Sequence, residues 1–308
     1  MIGVKSVSVY RPEEGVDNFS QAVRMEASEE FMRNKIGFHY LTRKASAQET
    51  TDLAKEVVNQ LFAQQNLSKK QVECLILVTQ NPDGMGLPHA SAILHHKLDL
   101  ATSCAVFDIS LGCSGFVQGL HIAKAFMESQ GYSNGILVTC DPYSKIIDPD
   151  DRDTTLLFGD GATATWLSDA PDWKIGHADF GISSKENAAL TISENGFLTM
   201  NGRAVFNFAA TQVPASVERV LIKAHLNIDQ IDMLLLHQGS RYIVETLAKR
   251  LGVENKTPFF ATEYGNTVSS SIPMLLAENV PDTAQRLMLS GFGVGLSWAT
   301  CILEKNND

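Results

Sequence analysis

The chain has 308 residues, of which 44% are hydrophobic and 19% are charged, and its formal charge is −10. This composition is typical of a globular protein with a large buried core, and the negative charge disfavours binding to nucleic acid or acidic lipid. The sequence shows no signal-peptide pattern, and no apolar stretch approaches the roughly 18 residues of a membrane helix. It therefore predicts a cytoplasmic protein that binds neither nucleic acid nor a membrane.

Strand-like runs alternate with helical patterns along the chain, which predicts an α/β fold. In the first half the predicted strands are 74–81, 105–110, 135–141 and 162–168, the predicted helices are 88–98 and 115–130, and a glycine turn lies at 111–114. The second half repeats this order, with strands at 233–238, 286–292 and 296–303, a short strand-like run at 257–261, helices at 242–251 and 268–279, and a glycine turn at 264–267. The repetition indicates an internal duplication, with an N-terminal half at 1–170 and a C-terminal half at 171–308. Equivalent turns of the two halves should then face each other.

The five cysteines are widely spaced and include no CxxC pair, which disfavours a disulfide framework or a zinc site. Only Cys113 lies in a glycine-containing turn, between a predicted strand and a predicted helix. The helix dipole and the free amides of a helix N-terminus favour a thiolate, so we expect a pKa below the free value of about 8.5. The alternative is a buried structural cysteine.

Two further polar residues lie at similar positions. His237 ends a buried-strand pattern, and the carboxyl ends of strands are where open α/β sheets bind ligands. Asn266 lies in the turn that the duplication places opposite Cys113. Taken alone, His237 is interpretable as a core histidine and Asn266 as a helix cap.

A Cys, His and Asn set has two chemical interpretations. In papain-like hydrolases the asparagine orients the histidine, but the sequence around Cys113 does not suit that family. Alternatively, the thiolate accepts an acyl group while His237 and Asn266 donate hydrogen bonds to a second thioester carbonyl. Loss of carboxylate from a malonyl thioester leaves an enolate, and preorganised donors stabilise its oxygen without a metal.

These residues resemble the beta-ketoacyl-[acyl carrier protein] synthase III family of the thiolase superfamily, and the resemblance covers nearly the whole chain. The matching segments are 35–38, 108–116, 151–154, 158–162, 200–206, 237–238, 265–267, 271–273 and 291–298. The resemblance implies a thiolase fold, in which two duplicated α/β halves form five layers in the order α-β-α-β-α. It implies an acyltransferase that condenses an acyl thioester with a malonyl-type thioester, with loss of carbon dioxide, in fatty acid or specialised metabolite (polyketide) biosynthesis.

The resemblance assigns roles to the residues of the site. Cys113 carries the acyl group, and His237 and Asn266 assist decarboxylation. The backbone amides of Cys113 and Val294 form the oxyanion hole, and Phe158 lies beside the decarboxylating group.

The resemblance also implies how thioesters reach the site. Contacts to coenzyme A or pantetheine are implied for Phe31, Arg152, Gly202 and Ser240. Docking of an acidic acyl carrier protein is implied for Arg241, Lys249 and Arg250. A homodimer is implied, with thioesters of coenzyme A or of the carrier as substrates and with no cofactor and no metal.

Several positions depart from the family pattern. Phe31 stands where the family has a tryptophan, and Ser240 replaces an amide near the pantetheine tunnel. Asn207 and Tyr242 replace two basic docking residues, while Arg241 is displaced by one residue, which is a rotation of about 100° on a helix. These departures predict a divergent or specialised member.

Other functions stay open on the sequence alone. One is an ester- or amide-forming acyltransferase with His237 as general base, and another is a non-catalytic subunit of a heterodimeric synthase. A thiolase proper would need a second catalytic cysteine, and Cys301 lies within a predicted strand. A hydroxymethylglutaryl-CoA synthase-like enzyme would need a catalytic glutamate, and neither Glu73 nor Glu263 lies in a suitable motif.

Overall fold

The computed structural model describes residues 1–307. Within that range the strands are β1 (Gly3–Tyr10), β2 (Gly15–Asp17), β3 (Tyr40–Thr42), β4 (Cys74–Val78), β5 (Ala105–Ile109), β6 (Asn134–Cys140), β7 (Ala162–Ser168), β8 (Trp173–Ile182), β9 (Leu190–Ile192), β10 (Leu198–Met200), β11 (Met233–Leu236), β12 (Arg286–Gly293) and β13 (Ser297–Lys305). The helices are α1 (Asn18–Arg24), α2 (Glu29–Phe31), α3 (Thr50–Gln64), α4 (Ala90–Leu98), α5 (Gly115–Gln130), α6 (Arg152–Thr155), α7 (Gly202–Ala224), α8 (Arg241–Leu251) and α9 (Ser271–Glu278). A π-helical turn, Met32–Ile36, follows α2. No helix in this range is both long enough and apolar enough to cross a bilayer.

The central sheet has nine strands in the order β5-β4-β6-β7-β1-β8-β13-β12-β11. In the first half β4 is parallel to β6, β6 is antiparallel to β7, and β7 is antiparallel to β1. In the second half β11, β12, β13 and β8 repeat this order and these directions. The halves meet where β1 pairs with β8 through Gly3 and Val4 only. The repeated topology is the arrangement that an internal duplication predicts, and the division at residue 170 itself stays a prediction.

Helices cover both parts of the sheet and also separate them. Helix α5 packs against β4 and β6 of the first half and against β12 and β13 of the second, and α9 contacts both β1 and β11. Helices α3 and α4 cover the outer face of the first half, while α7 packs on the outer face of β8, β12 and β13. The layers are therefore α, β, α, β and α, and the predicted five-layered arrangement is confirmed.

Local sequence explains the elements that hold the site. All five residues of β4 are apolar and buried, as expected of a strand covered on both faces. Helix α5 begins one residue after its cap, Ser114, and ends where Gly131 adopts a left-handed conformation. Helix α7 begins where the side chain of Asn201 accepts a hydrogen bond from the Ala204 amide at 3.0 Å.

The strand predicted at 257–261 is absent, and this prediction is wrong. The side chain of Gln238 forms hydrogen bonds with backbone groups of this segment that a strand would use to pair with its neighbour. Its amide nitrogen donates to the Pro258 carbonyl at 3.3 Å, and its amide oxygen accepts from the Phe260 amide at 2.9 Å. Pro258 also has no N–H to donate to a ladder. Strand β11 consequently forms the edge of the sheet.

Candidate active site

A cavity of about 870 Å³ connects the surface with the turn that carries Cys113. Its buried inner part is lined by Cys113, His237, Asn266 and Phe158. The three candidate catalytic residues come from three separate turns of the two halves. Cys113 and Asn266 are more than 150 positions apart in the sequence, and both line this cavity. The predicted meeting of the Cys113 and Asn266 turns at one site is confirmed.

The thiol of Cys113 is buried, with 4% of the residue exposed. Burial, followed by the nearby charge of Asp141, raises the pKa of the thiol to about 12, although the backbone amides of Val294 and Cys113 act in the opposite direction. The expectation of a pKa below about 8.5 is therefore wrong. Cys113 precedes the helix cap Ser114, and the loss of water around the sulfur outweighs the favourable amides.

The turn that joins β12 and β13 packs directly against Cys113. A Cβ atom on Gly293 would lie 2.6 Å from the Cys113 sulfur, so only glycine permits this approach. The adjacent amide of Val294 and the amide of Cys113 itself both stabilise negative charge at the sulfur. These are the two amides that the sequence interpretation assigns to the oxyanion hole, and that role stays a prediction.

His237 is held by the hydroxyl of Ser271. The two atoms, Nδ1 and Oγ, are 2.7 Å apart, and Oγ also accepts from the Gln238 amide at 3.4 Å. The hydroxyl accepts from that amide and can still donate its own proton to Nδ1, and in that arrangement the ring proton lies on Nε2. Burial lowers the pKa of His237 to about 3, against a hydrogen bond with the Val268 backbone that raises it. The imidazole is therefore neutral at physiological pH.

The amide of Asn266 is oriented by the next turn of the backbone. Its Oδ1 accepts from the Val268 amide at 2.9 Å, which leaves Nδ2 as a donor. Val268 has a φ of 54°, a left-handed conformation that is costly for a β-branched residue and is found mostly where function requires it. The backbone of Asn266 also pairs with Leu157 and Gly159, at 2.9 and 3.0 Å, beside Phe158.

A papain-like arrangement is not present. In such a site the asparagine would bind the histidine ring. Here the side-chain oxygen of Asn266 is bound by the Val268 amide, and Nδ1 of His237 is bound by Ser271. The histidine and the asparagine are thus two separate donors in one cavity.

The residues expected to hold coenzyme A line the outer part of the same cavity. Phe31, Arg152, Gly202 and Ser240 all contribute to its wall. The guanidinium of Arg152 lies over the ring of Phe31, with 4.8 Å between its Cζ atom and the ring centroid. Lys35 also lines the wall, and its ammonium lies 3.3 Å from the ring centroid of Tyr242.

The three residues expected to dock a carrier protein lie outside this cavity. Arg241 lies over the Phe259 ring at 4.6 Å and contacts Glu245, and Arg250 donates to the Ala210 carbonyl at 2.5 Å. Lys249 is exposed. Two of the three side chains are therefore engaged within the chain, and the docking role stays a prediction.

The residues considered for related chemistries do not join the site. Cys301 is buried within β13, away from the cavity. Glu73 accepts hydrogen bonds from the Ser133 and Asn134 amides, and Glu263 lies beside His39. Neither a second cysteine nor a glutamate lines the cavity in the described part of the chain.

The sequence interpretation missed four residues around the inner end of the cavity. They are Gln80, Asp141, Tyr143 and Ser271. The first three follow β4 and β6, two adjacent parallel strands. Because the carboxyl ends of such strands meet at one edge, that rule could have identified them beside Cys113. Ser271 lies in the family-like segment 271–273, but nothing in that segment indicates that its hydroxyl contacts His237.

Fold and site together define a class, the thiolase-fold acyltransferases. Sequence models of 3-oxoacyl-[acyl-carrier-protein] synthase III match residues 107–184 and, for its C-terminal part, residues 221–305. The beta-ketoacyl-[acyl-carrier-protein] synthase III of Streptococcus pneumoniae serotype 19F is 33% identical over 97% of this chain and 98% of that protein. The chain belongs to the 3-oxoacyl-[acyl-carrier-protein] synthase III family.

Solved structures agree with this assignment. A 3-oxoacyl-(acyl-carrier protein) synthase from Burkholderia xenovorans superposes with a TM-score of 0.92 at 30% identity, over 99% of this chain and 94% of that one. The priming β-ketosynthase of the R1128 polyketide pathway superposes with a TM-score of 0.89 at 25% identity, over 100% and 97%. The chain is an acyltransferase that catalyses decarboxylative Claisen condensation in fatty acid or polyketide biosynthesis.

Proposed function

We propose that Cys113 carries the primer acyl group while His237 and Asn266 bind the thioester that is decarboxylated. The observation that carries this proposal is the orientation of the two donors. In this proposal the Ser271 hydroxyl donates to Nδ1, so that the ring proton of His237 lies on Nε2, and the Val268 amide leaves Nδ2 of Asn266 free to donate. Both side chains line the cavity that ends at Cys113.

The first half-reaction acylates the cysteine. The sulfur of Cys113 attacks the carbonyl carbon of a thioester, the carbon–sulfur bond to the donor breaks, and the departing thiol takes the proton that Cys113 loses. The amides of Cys113 and Val294 stabilise the tetrahedral oxyanion. Because the pKa of the buried thiol is about 12, the thiol and not the thiolate is the resting form at physiological pH.

The second half-reaction forms the carbon–carbon bond. A malonyl-type thioester loses its carboxylate as carbon dioxide, and Nε2 of His237 and Nδ2 of Asn266 donate to the enolate oxygen. The enolate carbon attacks the acyl carbonyl, the bond to the Cys113 sulfur breaks, and the departing thiolate takes a proton from water. Preorganised neutral donors lower this barrier because they require no reorganisation as charge develops.

Thioesters of coenzyme A or of an acyl carrier protein are proposed as the substrates. Two basic side chains, Lys35 and Arg203, accompany the Arg152–Phe31 contact at the mouth of the cavity and suit a phosphate group. The reaction draws on side chains and backbone amides of this chain, and neither a cofactor nor a metal has a role in it. A cytoplasmic location stays a prediction from the sequence.

The alternative functions have weaker support. An ester- or amide-forming enzyme needs a general base whose pKa lies near the working pH, whereas the pKa of His237 is about 3. A non-catalytic subunit has no need for the two oriented donors. Neither alternative explains why Ser271 and Val268 hold the histidine and the asparagine as they do.

A homodimer is proposed because one edge of the chain has features of an interface. Strand β5 ends the sheet, and four of its five residues are only half-buried. Next to it in the fold is the loop after β4, where Met85 and Leu87 are 99% and 93% exposed. An edge strand with nearby exposed apolar side chains favours pairing with a second copy.

Three variants test the assigned roles. Cys113→Ala should abolish the acyl adduct, measured by intact-protein mass after exposure to an acyl thioester. His237→Ala and Asn266→Ala should still form the adduct but should release carbon dioxide from malonyl thioester at least about 100-fold more slowly. Condensation at the normal rate in either of these two variants would show that the assigned roles are wrong.

A further inference from the structure

The two backbone amides assigned to the oxyanion hole belong to different halves of the chain. Cys113 precedes helix α5 in the first half, and Val294 lies in the turn that joins β12 and β13 in the second. A Cβ atom on Gly112 would lie 2.5 Å from the Val294 side chain. One on Gly291 would lie 2.5 Å from the Cys113 carbonyl oxygen, so the two turns are in close contact. The alignment of the two amides depends on how these turns are held against each other.

The turn around Val294 has little steric restraint of its own. Val294 lies between Gly293 and Gly295, and Gly295 has a φ of 131°, a conformation that glycine adopts at no steric cost. A backbone segment flanked by two glycines can change the orientation of its peptide groups easily. The direction of the Val294 amide therefore requires a restraint from elsewhere in the fold.

A hydrogen bond from Ser297 supplies such a restraint. The Ser297 hydroxyl donates to the Val294 carbonyl at 2.9 Å, which ties the turn to the first residue of β13. Because a carbonyl can only accept, the single hydroxyl proton of Ser297 is committed to this bond. The hydroxyl oxygens of Ser297 and Ser114 are 2.8 Å apart, so Ser114 is the donor of that pair.

The same reasoning assigns the next hydrogen bond. Since Ser114 donates to Ser297, its oxygen is left as an acceptor, and Nε2 of Gln118 donates to it at 3.3 Å. Gln118, Ser114 and Ser297 form what we call the serine relay, in which every bond points from α5 toward the turn. Ser114 and Ser297 are 0% and 5% exposed, so water does not compete for these bonds.

Ser114 is available for the relay because its side chain does not cap helix α5. A serine at the N-cap position usually accepts from an amide of the first helical turn. Here the backbone of Ser114 is already helical, and its side chain makes no capping hydrogen bond. The hydroxyl of the residue that follows the nucleophile is instead directed across the boundary between the two halves, toward the turn that carries Val294.

We propose that Ser297, supported by Ser114 and Gln118, is a positioning residue that holds the Val294 amide at Cys113 during acylation. This inference rests on the proposed acylation of Cys113 and on the predicted oxyanion hole. None of the three relay side chains lines the cavity, so the relay acts on the reaction only through the turn. Preorganised donors lower a barrier because they are in place before charge develops. Loss of the restraint should therefore slow acylation without weakening thioester binding.

The test measures the rate constant of Cys113 acylation and the acetyl-CoA concentration at half saturation, by rapid mixing and intact-protein mass. Ser297→Ala should lower the rate constant at least about tenfold and change the half-saturation concentration less than about twofold. Ser297→Thr, which keeps a hydroxyl, should stay within about threefold of the wild-type rate constant. Ser290→Ala is the matched control, because it removes a buried hydroxyl that lies 2.9 Å from Thr300 on the same pair of strands, and it should acylate normally.

A second substitution tests the relay as a connected unit. Ser114→Ala should lower the rate constant of acylation about 2- to 10-fold, which is the effect of one neutral hydrogen bond. In the Ser297→Ala background it should have no further effect, because its acceptor is already absent. Two independent contributions would instead multiply.

The outcomes separate this inference from the proposed function. A wild-type rate constant in Ser297→Ala overturns the role of the relay and leaves the acylation of Cys113 in place. An equal loss in Ser290→Ala, or losses that multiply in the double variant, also overturns it. If Ser297→Ala does not fold, Ser114→Ala decides, and an unchanged rate constant there overturns the inference. Absence of an adduct on the wild-type protein overturns the acylation of Cys113 itself, and the role of the relay with it.

Discussion

The hydroxyl oxygen of Ser271 lies 2.7 Å from Nδ1 of His237, and in the proposed mechanism this contact keeps Nε2 as the donor that faces the cavity. The serine opens helix α9 in the second half, and the histidine follows β11. Ser271 does not line the cavity, whereas His237 does, so the serine would act on the reaction only through the histidine. The arrangement is a positioning contact of the kind that supports catalytic groups in other enzymes.

Replacement of Ser271 by alanine should therefore affect only one half-reaction. We expect decarboxylation of malonyl thioester to fall roughly 10- to 100-fold, because His237 loses the partner that keeps its proton on Nε2. Acylation of Cys113 should change less than about twofold. The measurement is carbon dioxide release beside intact mass.

Serine 91 offers a matched control for this substitution. Ser91 is also fully buried, but its hydroxyl makes no hydrogen bond and it lies on α4 in an outer layer. Ser91→Ala should leave both half-reactions unchanged. An equal loss in both half-reactions of Ser271→Ala would contradict a positioning role and would indicate a general structural defect.

The glycine that touches the nucleophile should be intolerant of any side chain. Gly293→Ala would place a methyl group within 2.6 Å of the Cys113 sulfur, so acylation should fall at least about 100-fold. The comparison variant is Gly131→Ala, at the left-handed end of α5, where a Cβ atom meets nothing within 4 Å.

Gly131→Ala should lose about 1 kcal/mol of unfolding free energy, because alanine is strained at positive φ, and should keep its acylation rate. Thermal denaturation and acylation rates measured side by side separate the two effects. Normal acylation by Gly293→Ala would show that the turn moves away from the sulfur in solution.

The high pKa of the thiol has a direct chemical signature. Alkylation of Cys113 by iodoacetamide should be slow at pH 7 and should rise about tenfold for each pH unit up to at least pH 10, because only the thiolate reacts. Peptide mass mapping distinguishes Cys113 from the four other buried cysteines. An alkylation rate that stops rising below pH 9 would show that burial does not dominate the pKa of the thiol.

The charge of Asp141 contributes to this pKa and can be removed separately. Burial raises the pKa of Asp141 to about 6, so it is ionised at pH 8 and opposes formation of a second negative charge at Cys113. Asp141→Asn should accelerate alkylation at pH 8 roughly 3- to 10-fold. Asp172→Asn, at a surface ion pair with Lys5, is the control and should have no effect. Slower alkylation in Asp141→Asn would contradict the electrostatic account.

The proposed dimer can be tested through the exposed loop after β4. Met85→Asp combined with Leu87→Asp should convert the dimer to a monomer at micromolar concentrations, because two charges cannot be buried without partners. Light scattering during size-exclusion chromatography gives the mass. Ile222→Asp, at an apolar residue that is 65% exposed on α7, should leave the dimer intact. A wild-type monomer would contradict the proposal.

Much of the fold was predictable because the local sequence patterns agree with the burial that the folded structure requires of the same residues. Helix α5 and strand β7 have the predicted bounds, since a glycine turn precedes the first and a run of mostly buried residues rich in threonine and apolar side chains forms the second. The strand expected at 257–261 failed because the side chain of Gln238 occupies the backbone groups concerned. The hydrophobic periodicity of a sequence does not show that a side chain will bind the backbone groups that a strand would otherwise use for pairing.

The site was predictable in its residues but not in its electrostatics. Cys113, His237 and Asn266 were identified from turns and from the duplication, and all three line the cavity. The pKa of Cys113 was mispredicted because the helix N-terminus is a local feature, whereas burial depends on the whole fold. Tyr143 was missed for the same reason, since its place in the cavity wall depends on contacts with Phe158 and Gln80 that form only in the folded chain.

A single-turnover chase on the wild-type protein tests the central claim most directly. The protein is loaded with acetyl-CoA, freed from excess substrate and mixed with a malonyl thioester, while the intact mass and the product are followed. The account predicts a mass increase of one acetyl group located on Cys113, followed by its loss in step with formation of the β-ketoacyl product and carbon dioxide. Product formation without an adduct on Cys113, or an adduct that malonyl thioester does not discharge, would contradict it.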